Sequence, residues 1–326
     1  MLFVDNQNIT DPRLNLSLEE YLLRHLEVAE PILLFYVNEP SVIVGRNQNT
    51  AEEIDPDYVK AQGIHVVRRL SGGGAVYHDL GNLNFSFITP NKKYLHDFSR
   101  FTEPVIQVLA ELGVEAELKG KSDIFAAGKK ISGNAQYSTA GRMFSHGTLL
   151  FDSDLEELLK ALNPRQVQIE SKAVQSVRNF VVNIRELLPE PMTLDELKEA
   201  LLAGIFGDEL PAYDLAPSDW EMIEQISDER YRQWEWNFGR SPKFNVQKTD
   251  RFPAGKLDAR IEVQRGRIEA IKIYGDFAGK REVAELEERL AGTAYDREAL
   301  ERTLTDIDLA PYFGVLSQEE LLGLLY

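Results

Sequence analysis

The sequence contains no cysteine, and this absence excludes disulfide bonds and zinc sites built from thiolates. It also lacks any run of about 18 apolar residues, the length that a membrane-spanning helix requires. Residues 1–10 show no basic segment followed by an apolar one, so no secretory signal is expected. Together these absences predict a cytoplasmic protein that has no membrane partner.

Positive charge is scarce and unevenly distributed along the chain. The sequence has 36 Lys+Arg and 53 Asp+Glu, a net charge of −17. This balance argues against nucleic-acid binding, because contacts to a phosphate backbone need a broad basic face. Residues 60–150, however, carry 11 basic and 7 acidic side chains, a net charge of +4. An anionic substrate would concentrate in this locally basic region.

Three consecutive glycines at residues 72–74 are the most informative local feature. Glycine loses more backbone freedom on folding than any other residue, but its N–H group can approach a ligand with no Cβ in the way. Arg68 and Arg69 before the glycines and His78 after them indicate an anionic ligand. Only one of the two arginines can face that ligand if the strand before them continues, because side chains alternate along a strand. Without these neighbours, the glycines would equally fit a tight turn between strands.

A second polar motif surrounds Lys130, at the start of a predicted β-hairpin whose bend lies near Gly141. A lysine at the mouth of such a hairpin is a point charge suited to a phosphate or a carboxylate. Most lysines are solvated surface groups instead. The local excess of positive charge favours the functional interpretation of Lys130.

In this order and at this spacing, the motifs resemble those of lipoate–protein ligases, within the wider biotin/lipoate ligase superfamily. The resemblance covers essentially the whole chain, including a C-terminal accessory region. It includes Asp123 and rests on these motifs: VIVGRNQN (42–49), RRLSGGGAVYHD (68–79), GN (81–82), NF (84–85), KISG (130–133), HGTLL (146–150), SVR (176–178) and WEWNFG (234–239).

The resemblance implies an α+β fold with two parts. A catalytic domain with a mixed β-sheet and flanking helices is expected over residues 1–243. A small α+β accessory domain is expected over residues 250–326, and the sequence GRSP at 239–242 fits a boundary between them. A chain of 326 residues is long enough for one large and one small domain.

The resemblance also implies the reaction. Lipoate is activated by ATP to lipoyl-AMP with release of pyrophosphate, and the lipoyl group then passes to a specific lysine of an acceptor protein. Lys130 is the predicted catalytic residue, because one ammonium group can hold an oxygen of the acid and a phosphate oxygen at once. The implied ATP-binding residues are Arg69, Gly74, Ala75, Val76, Tyr77 and Lys130. The implied lipoate-binding residues are Lys130, Arg69, Ser71, Gly72, Gly73, His78 and His146.

Several supporting roles stay open at this point. Asp123 either holds a Mg²⁺ ion or orients Lys130. His78 and His146 either flank the tunnel for the acyl chain or are core histidines bonded to neighbouring groups. Arg46 and Asn82 are expected to support the pocket. A pair of glutamates, residues 19–20, lies on a predicted helix over residues 15–28 and is expected to be a solvated face.

The acceptors that the resemblance implies are lipoyl domains of 2-oxoacid dehydrogenase acyltransferase subunits and the glycine-cleavage carrier protein. One alternative is an octanoyl or lipoyl transferase acting between carriers, but that reaction proceeds through a cysteine thioester, which this chain cannot form. Biotin ligases have a Gly-Arg-Gly-type loop where this chain has SGGGA (71–75). A further alternative is a non-catalytic protein that binds lipoate or its adenylate and releases no pyrophosphate.

Overall fold

The computed structural model describes residues 1–48, 50–162, 180–238, 246–264, 266–295 and 297–326, and only the backbone of residues 51, 52, 56 and 57. The SVR motif at 176–178, Asn49, and residues 239–242 at the predicted domain boundary lie outside this description. The chain divides into two compact units. The first comprises Met1–Ile43, Ala51–Arg68 and Val76–Asn237, and the second comprises Val44–Thr50, Arg69–Ala75 and Phe238–Tyr326. The domain boundaries at 1–243 and 250–326 stay predictions.

The strands up to residue 150 are, in chain order, β1 (Leu2–Asp5), β2 (Ile32–Val37), β3 (Ser41–Val44), β4 (His65–Arg68), β5 (Val76–His78), β6 (Asn82–Thr89), β7 (Ala116–Lys119), β8 (Asp123–Ala126), β9 (Lys129–Thr139) and β10 (Arg142–Leu150). Seven of them form one sheet in the order β1-β2-β6-β10-β9-β8-β7. The β1–β2 pair is parallel and the other neighbours are antiparallel. A smaller sheet has the order β4-β3-β5. The predicted mixed sheet is therefore confirmed.

Helices flank these sheets, as predicted. Their bounds are α1 (Pro12–Arg24), α2 (Thr50–Glu53), α3 (Pro56–Gln62), α4 (Ser99–Glu111), α5 (Leu155–Ala161), α6 (Leu194–Phe206), α7 (Pro217–Ile226) and α8 (Trp234–Asn237), with a 3₁₀ turn at Ile184–Glu186 and a π-helical turn at Ser227–Tyr231. Helix α1 begins three residues before the prediction because Asp11 caps it by accepting a hydrogen bond from the Arg13 N–H, and Pro12 occupies the first turn, where no N–H donor is needed.

The two faces of the seven-stranded sheet differ in character. On β6, Leu83, Phe85 and Phe87 point into the hydrophobic core that the sheet forms with α4 and α6. The residues between them, Asn84 and Ser86, point to the other face, because successive side chains of a strand alternate. We call this second side of the sheet the polar face.

The second unit contains its own sheet and core. Strands β11 (Val246–Phe252), β12 (Gly255–Gln264) and β13 (Arg267–Gly275) are antiparallel in that order. The helices that follow are α9 (Ala284–Leu290), α10 (Arg297–Thr305), α11 (Ala310–Phe313) and α12 (Gln318–Leu325). Leu257, Ile271, Leu300 and Phe313 belong to one buried cluster. This agrees with the small α+β region expected near the C-terminus. Within the described residues of both units, no helix has the length and apolar character needed to cross a membrane.

Candidate active site

Lys130 and Asp123 form an ion pair on neighbouring strands, with 2.9 Å between Nζ and Oδ2. The antiparallel pairing of β8 and β9 sets Asp123 opposite Gly133. A Cβ atom on Gly133 would lie 3.1 Å from Nζ of Lys130, so the glycine leaves room for the ammonium group. The two side chains are 37% and 32% exposed, which leaves both accessible to a ligand. This contact fits the role of orienting Lys130 that was predicted for Asp123.

A metal role for Asp123 needs further oxygen ligands. No group of three or more His, Cys, Asp or Glu side chains among the described residues could hold a metal ion. Mg²⁺ is commonly bound through one or two carboxylates together with substrate phosphates. The donor set therefore fits a Mg²⁺ ion held mainly by the phosphates of a nucleotide, with Asp123 as one carboxylate ligand.

The strand register places the surroundings of Lys130 on the polar face. His146 of β10 lies opposite Ser86 of β6 and opposite Ala135 of β9, and directly opposed residues project to the same side of a sheet. Ala135 and Gly133 are two residues apart and so share that side. The space in front of Gly133, where the Lys130 ammonium lies, is thus on the same face as His146.

His146 is held by a buried carboxylate of helix α1. Its Nδ1 atom lies 2.9 Å from Oε1 of Glu19, and the exposed fractions are 8% for His146 and 2% for Glu19. Glu20 is also buried, and it accepts a hydrogen bond of 2.9 Å from the hydroxyl of Tyr231. Burial raises the pKa of that phenol, which therefore stays a donor. The prediction that these glutamates form a solvated face is wrong, because both carboxylates have protein partners that offset the cost of burial.

His78 is held through the same helix. Asn15 donates from Nδ2 to the Oδ1 atom of Asn38 at 2.9 Å, and Nδ2 of Asn38 lies 3.0 Å from Nδ1 of His78. Because the amide oxygen of Asn38 is turned to Asn15, its NH₂ group faces the imidazole, and Nδ1 of His78 is the acceptor. Asn15 and Glu19 are four residues apart in α1, so one helix face holds both histidines. The sequence analysis did not identify Asn15 and Glu19 as site residues. The pattern that could have indicated them is a pair of polar residues one turn apart in a leucine-rich helix.

The two consecutive arginines bind different groups. Arg68 is buried in the first unit, where its Nε atom donates to the Trp236 carbonyl at 2.9 Å. The indole of Trp236 donates in return to the Arg68 carbonyl at 2.8 Å. Arg68 therefore anchors helix α8.

Arg69 belongs to the second unit and is bonded within the glycine-rich loop. Its guanidinium donates to Oγ of Ser71 at 3.0 Å and to the carbonyls of Gly72 and Gly74 at 2.7 and 2.8 Å. The side chain is 5% exposed. A buried guanidinium with several acceptors fixes the path of the loop that surrounds it.

The three glycines of this loop are required for different reasons. A Cβ on Gly72 would lie 2.6 Å from the carbonyl oxygen of Phe277, a backbone atom of the same unit. Gly73 has a φ of +92°, which side-chain-bearing residues rarely adopt. Gly74 is exposed, and a Cβ there would meet no described atom within 4 Å. Contacts within the chain and backbone conformation therefore explain why residues 72 and 73 are glycine. They do not explain Gly74, so among these three positions Gly74 is the one where a bound ligand would exclude a Cβ.

The remaining predicted residues occupy three places. In the second unit, Arg46 donates from Nε to Oε2 of Glu282 at 3.0 Å, and its other guanidinium nitrogen contacts the second oxygen. In the first unit, Tyr77 lies on β5 at the edge of the smaller sheet, and burial raises the pKa of its phenol. Asn82 is buried on β6 and donates to Asn84 at 3.1 Å.

Two family models match the chain. The lipoyl protein ligase A/B catalytic domain matches residues 11–206, and the bacterial lipoate protein ligase C-terminus matches residues 241–325. The chain belongs to the lipoate–protein ligase family. It is 54% identical to the lipoate-protein ligase LplJ of Bacillus subtilis (strain 168) and 49% identical to lipoate–protein ligase 1 of Staphylococcus aureus (strain Mu50), each over 100% of both chains.

Solved ligase structures share the fold. P. falciparum LipL1 in complex with lipoate aligns with a TM-score of 0.78 at 25% identity, over 94% of each chain. A bipartite ligase from Thermoplasma acidophilum, described with its E2 lipoyl domain, aligns with a TM-score of 0.66 at 30% identity, over 75% of this chain and 98% of that one. Lipoate-protein ligase A bound with ATP gives 0.61 at 31% identity, over 73% and 97%.

Family membership makes α1 a candidate part of the ligase site. Glu19 and His146 are 127 residues apart in the sequence and meet only in the folded chain.

Proposed function

We propose that this chain is an ATP-dependent lipoate–protein ligase that makes lipoyl-AMP and transfers the lipoyl group to a lysine of a lipoyl domain. The observation that carries the proposal is the accessible Lys130 ammonium, held by Asp123 at 2.9 Å on the same face of the sheet as the buried His146. Relatives with full-length similarity are named as ligases of this kind. The absence of cysteine in the sequence disfavours the thioester route of carrier-to-carrier transferases.

The first half-reaction brings two anions together. A carboxylate oxygen of lipoate attacks the α-phosphorus of ATP, the bond from that phosphorus to the bridging oxygen breaks, and pyrophosphate leaves. The repulsion between carboxylate and phosphate must be offset by positive charge, and Lys130 supplies it from a fixed position. Arg69 and the glycine-rich loop are assigned to the phosphate groups, and the β5 backbone at Val76 and Tyr77 to the adenosine. A Mg²⁺ ion would neutralise phosphate charge.

In the second half-reaction, the ε-amine of an acceptor lysine attacks the carbonyl carbon of lipoyl-AMP. An amide forms, a proton is released from the amine, and AMP leaves. The proposed acceptors are the lipoyl domains of 2-oxoacid dehydrogenase acyltransferase subunits and the glycine-cleavage carrier protein. The archaeal ligase described with its E2 lipoyl domain supports this class of partner. We place the reaction in the cytoplasm, in keeping with a chain that has no cysteine.

A two-part assay tests the proposed function. Purified protein with ATP and lipoate is expected to release pyrophosphate, and a panel of acceptor domains is expected to gain the mass of one lipoyl group. Binding of lipoate without pyrophosphate release would indicate a non-catalytic binding protein. Transfer from a lipoylated carrier in the absence of ATP would indicate a transferase.

Neighbouring glycines of the loop provide a matched pair of variants. Gly72→Ala is expected to lower the free energy of unfolding by about 1–3 kcal/mol, because the new Cβ would overlap the Phe277 carbonyl. Gly74→Ala is expected to change it by less than about 0.5 kcal/mol, yet to raise KM for ATP because the methyl group stands where a nucleotide would approach. Thermal unfolding and pyrophosphate kinetics measure both effects. Equal stability of the two variants would contradict the close packing assigned to Gly72. An unchanged KM for ATP in Gly74→Ala would contradict the nucleotide contact assigned to Gly74.

We assign His146 to the acyl chain of lipoate and Glu19 to positioning His146. Glu19→Gln is then expected to lower kcat/KM for lipoate about tenfold, because the charged acceptor beside Nδ1 of His146 becomes a neutral amide, which makes a weaker hydrogen bond. The double variant Glu19→Gln with His146→Gln is expected to be no worse than His146→Gln alone, since Glu19 acts through the imidazole. Steady-state pyrophosphate release by the wild-type protein, the two single variants and the double variant measures this double-mutant cycle. Additive losses would contradict a positioning role for Glu19.

A further inference from the structure

Ser86 has a buried hydroxyl group that no described residue satisfies. The residue is 0% exposed, and its Oγ atom has no hydrogen-bond partner among the described residues. A buried polar group in this state carries a desolvation cost that native structures rarely leave uncompensated. The hydroxyl therefore lacks a partner among the described residues, and a ligand could supply one.

The surroundings of Ser86 indicate what kind of group that partner is. Ser86 lies in the middle of β6, opposite the buried Leu34 on one side and His146 on the other. The ring of Phe144 lies 4.6 Å from the ring of His146, centroid to centroid. His146 is in turn bonded to Glu19. On the polar face, the surroundings of Ser86 thus combine the apolar side chains of Leu34 and Phe144 with the His146–Glu19 pair, a setting that suits a largely apolar ligand with one weakly polar end.

The distance from Lys130 to Ser86 can be followed across the sheet. The Lys130 ammonium lies over Gly133 of β9, and the Gly133 N–H donates to Oγ1 of Thr148 at 3.2 Å. Thr148 lies opposite Asn84, and Ser86 is two residues further along β6. Two strand spacings sideways and two residues along the strand amount to about 12 Å. This is close to the extended length of lipoate from its carboxyl group to its dithiolane ring.

We propose that the Ser86 hydroxyl donates a hydrogen bond to a sulfur atom of the dithiolane ring and thereby sets the preference for lipoate over octanoate. This inference rests on the proposed function. Octanoate ends in a methyl group and would leave the hydroxyl unpaired, and a site with an unpaired buried polar group rejects the ligand that lacks the matching atom. Sulfur is a weak acceptor, so the discrimination is modest.

The test compares Ser86→Ala with the wild-type protein, using lipoate and octanoate separately in the pyrophosphate-release assay. In Ser86→Ala, kcat/KM is expected to fall for lipoate and to rise for octanoate, so that their ratio falls about tenfold. Ser145→Ala is the matched control. Ser145 is also buried and is adjacent to His146, but it lies on the opposite face and accepts a hydrogen bond from Gln136 at 3.3 Å. The control is expected to keep the wild-type ratio.

Thermal unfolding of the ligand-free variants gives a second measurement. Removing an unpaired hydroxyl is expected to leave the stability of Ser86→Ala unchanged or raised. A loss of stability would mean that the hydroxyl has a structural partner, and it would overturn the inference. An unchanged ratio of lipoate to octanoate in Ser86→Ala would overturn it as well. Failure of the proposed function is distinct, because the wild-type protein would then release pyrophosphate with neither acid.

Discussion

Replacing Lys130 with methionine is expected to slow lipoate-dependent pyrophosphate release by about 10²–10³-fold. The side chain keeps similar length but loses the charge that offsets the repulsion between carboxylate and α-phosphate. The Asp123 carboxylate, 2.9 Å from the ammonium in the wild-type protein, would then add a further negative charge beside the reactants. A rapid-quench experiment that monitors the formation of lipoyl-AMP in a single turnover measures this step without interference from transfer.

Lys129→Met provides the control for charge alone. Lys129 precedes Lys130 on β9 and lies opposite Ala126, whereas Lys130 lies opposite Phe125, so the two lysines project to different faces. The control is expected to retain adenylation within about threefold of wild type, because surface charges are screened in solution. Similar losses in both variants would show that net charge, and not the position of Lys130, governs the reaction.

Replacing Arg69 with lysine is expected to lower kcat/KM for ATP about 10²-fold, although the charge is conserved. The guanidinium holds three acceptors at once, on Ser71, Gly72 and Gly74, and an ammonium group on a single stem cannot reproduce that planar fork. The hydrogen bonds to Ser71 and Gly72 are buried and the one to Gly74 is partly buried, so water cannot fully replace a lost donor. The free energy of unfolding is expected to fall by about 2–4 kcal/mol as well.

Arg68→Lys is the matched control for Arg69. Arg68 donates to the Trp236 carbonyl within the first unit, so its replacement is expected to lower stability while leaving KM for ATP unchanged. Kinetics below the unfolding temperature of both variants separate the two effects. An unchanged KM for ATP in Arg69→Lys would contradict the role of the loop in nucleotide binding.

The sequence was a good guide where structure follows from neighbouring residues. The hairpin that starts near Lys130 and turns near Gly141 is present as β9 and β10. Its prediction needed only the alternation of apolar and polar residues and a glycine at the bend. Helix α1 was also predicted, although its start was missed because the cap at Asp11 lies outside the apolar pattern.

Prediction failed where the partner of a residue is distant in the sequence. Helix α1 offers two adjacent glutamates, and the sequence alone gives no reason to bury them. In the folded chain Glu19 meets His146 and Glu20 meets Tyr231. Those contacts remove the usual penalty for a buried carboxylate, and they involve residues that no local pattern connects.

By itself, the amino-acid sequence determined the family, through the order and spacing of its motifs, and it excluded thioester chemistry through the absence of cysteine. It also indicated which residues share a face wherever a strand is regular, since alternation is a local property of the extended backbone. Only the tertiary structure decided that Asp123 meets Lys130, that α1 holds both histidines, and that Gly72 is required by the Phe277 backbone. The reason is that strand register and helix packing depend on the burial of side chains far apart in the chain, which a local pattern does not specify.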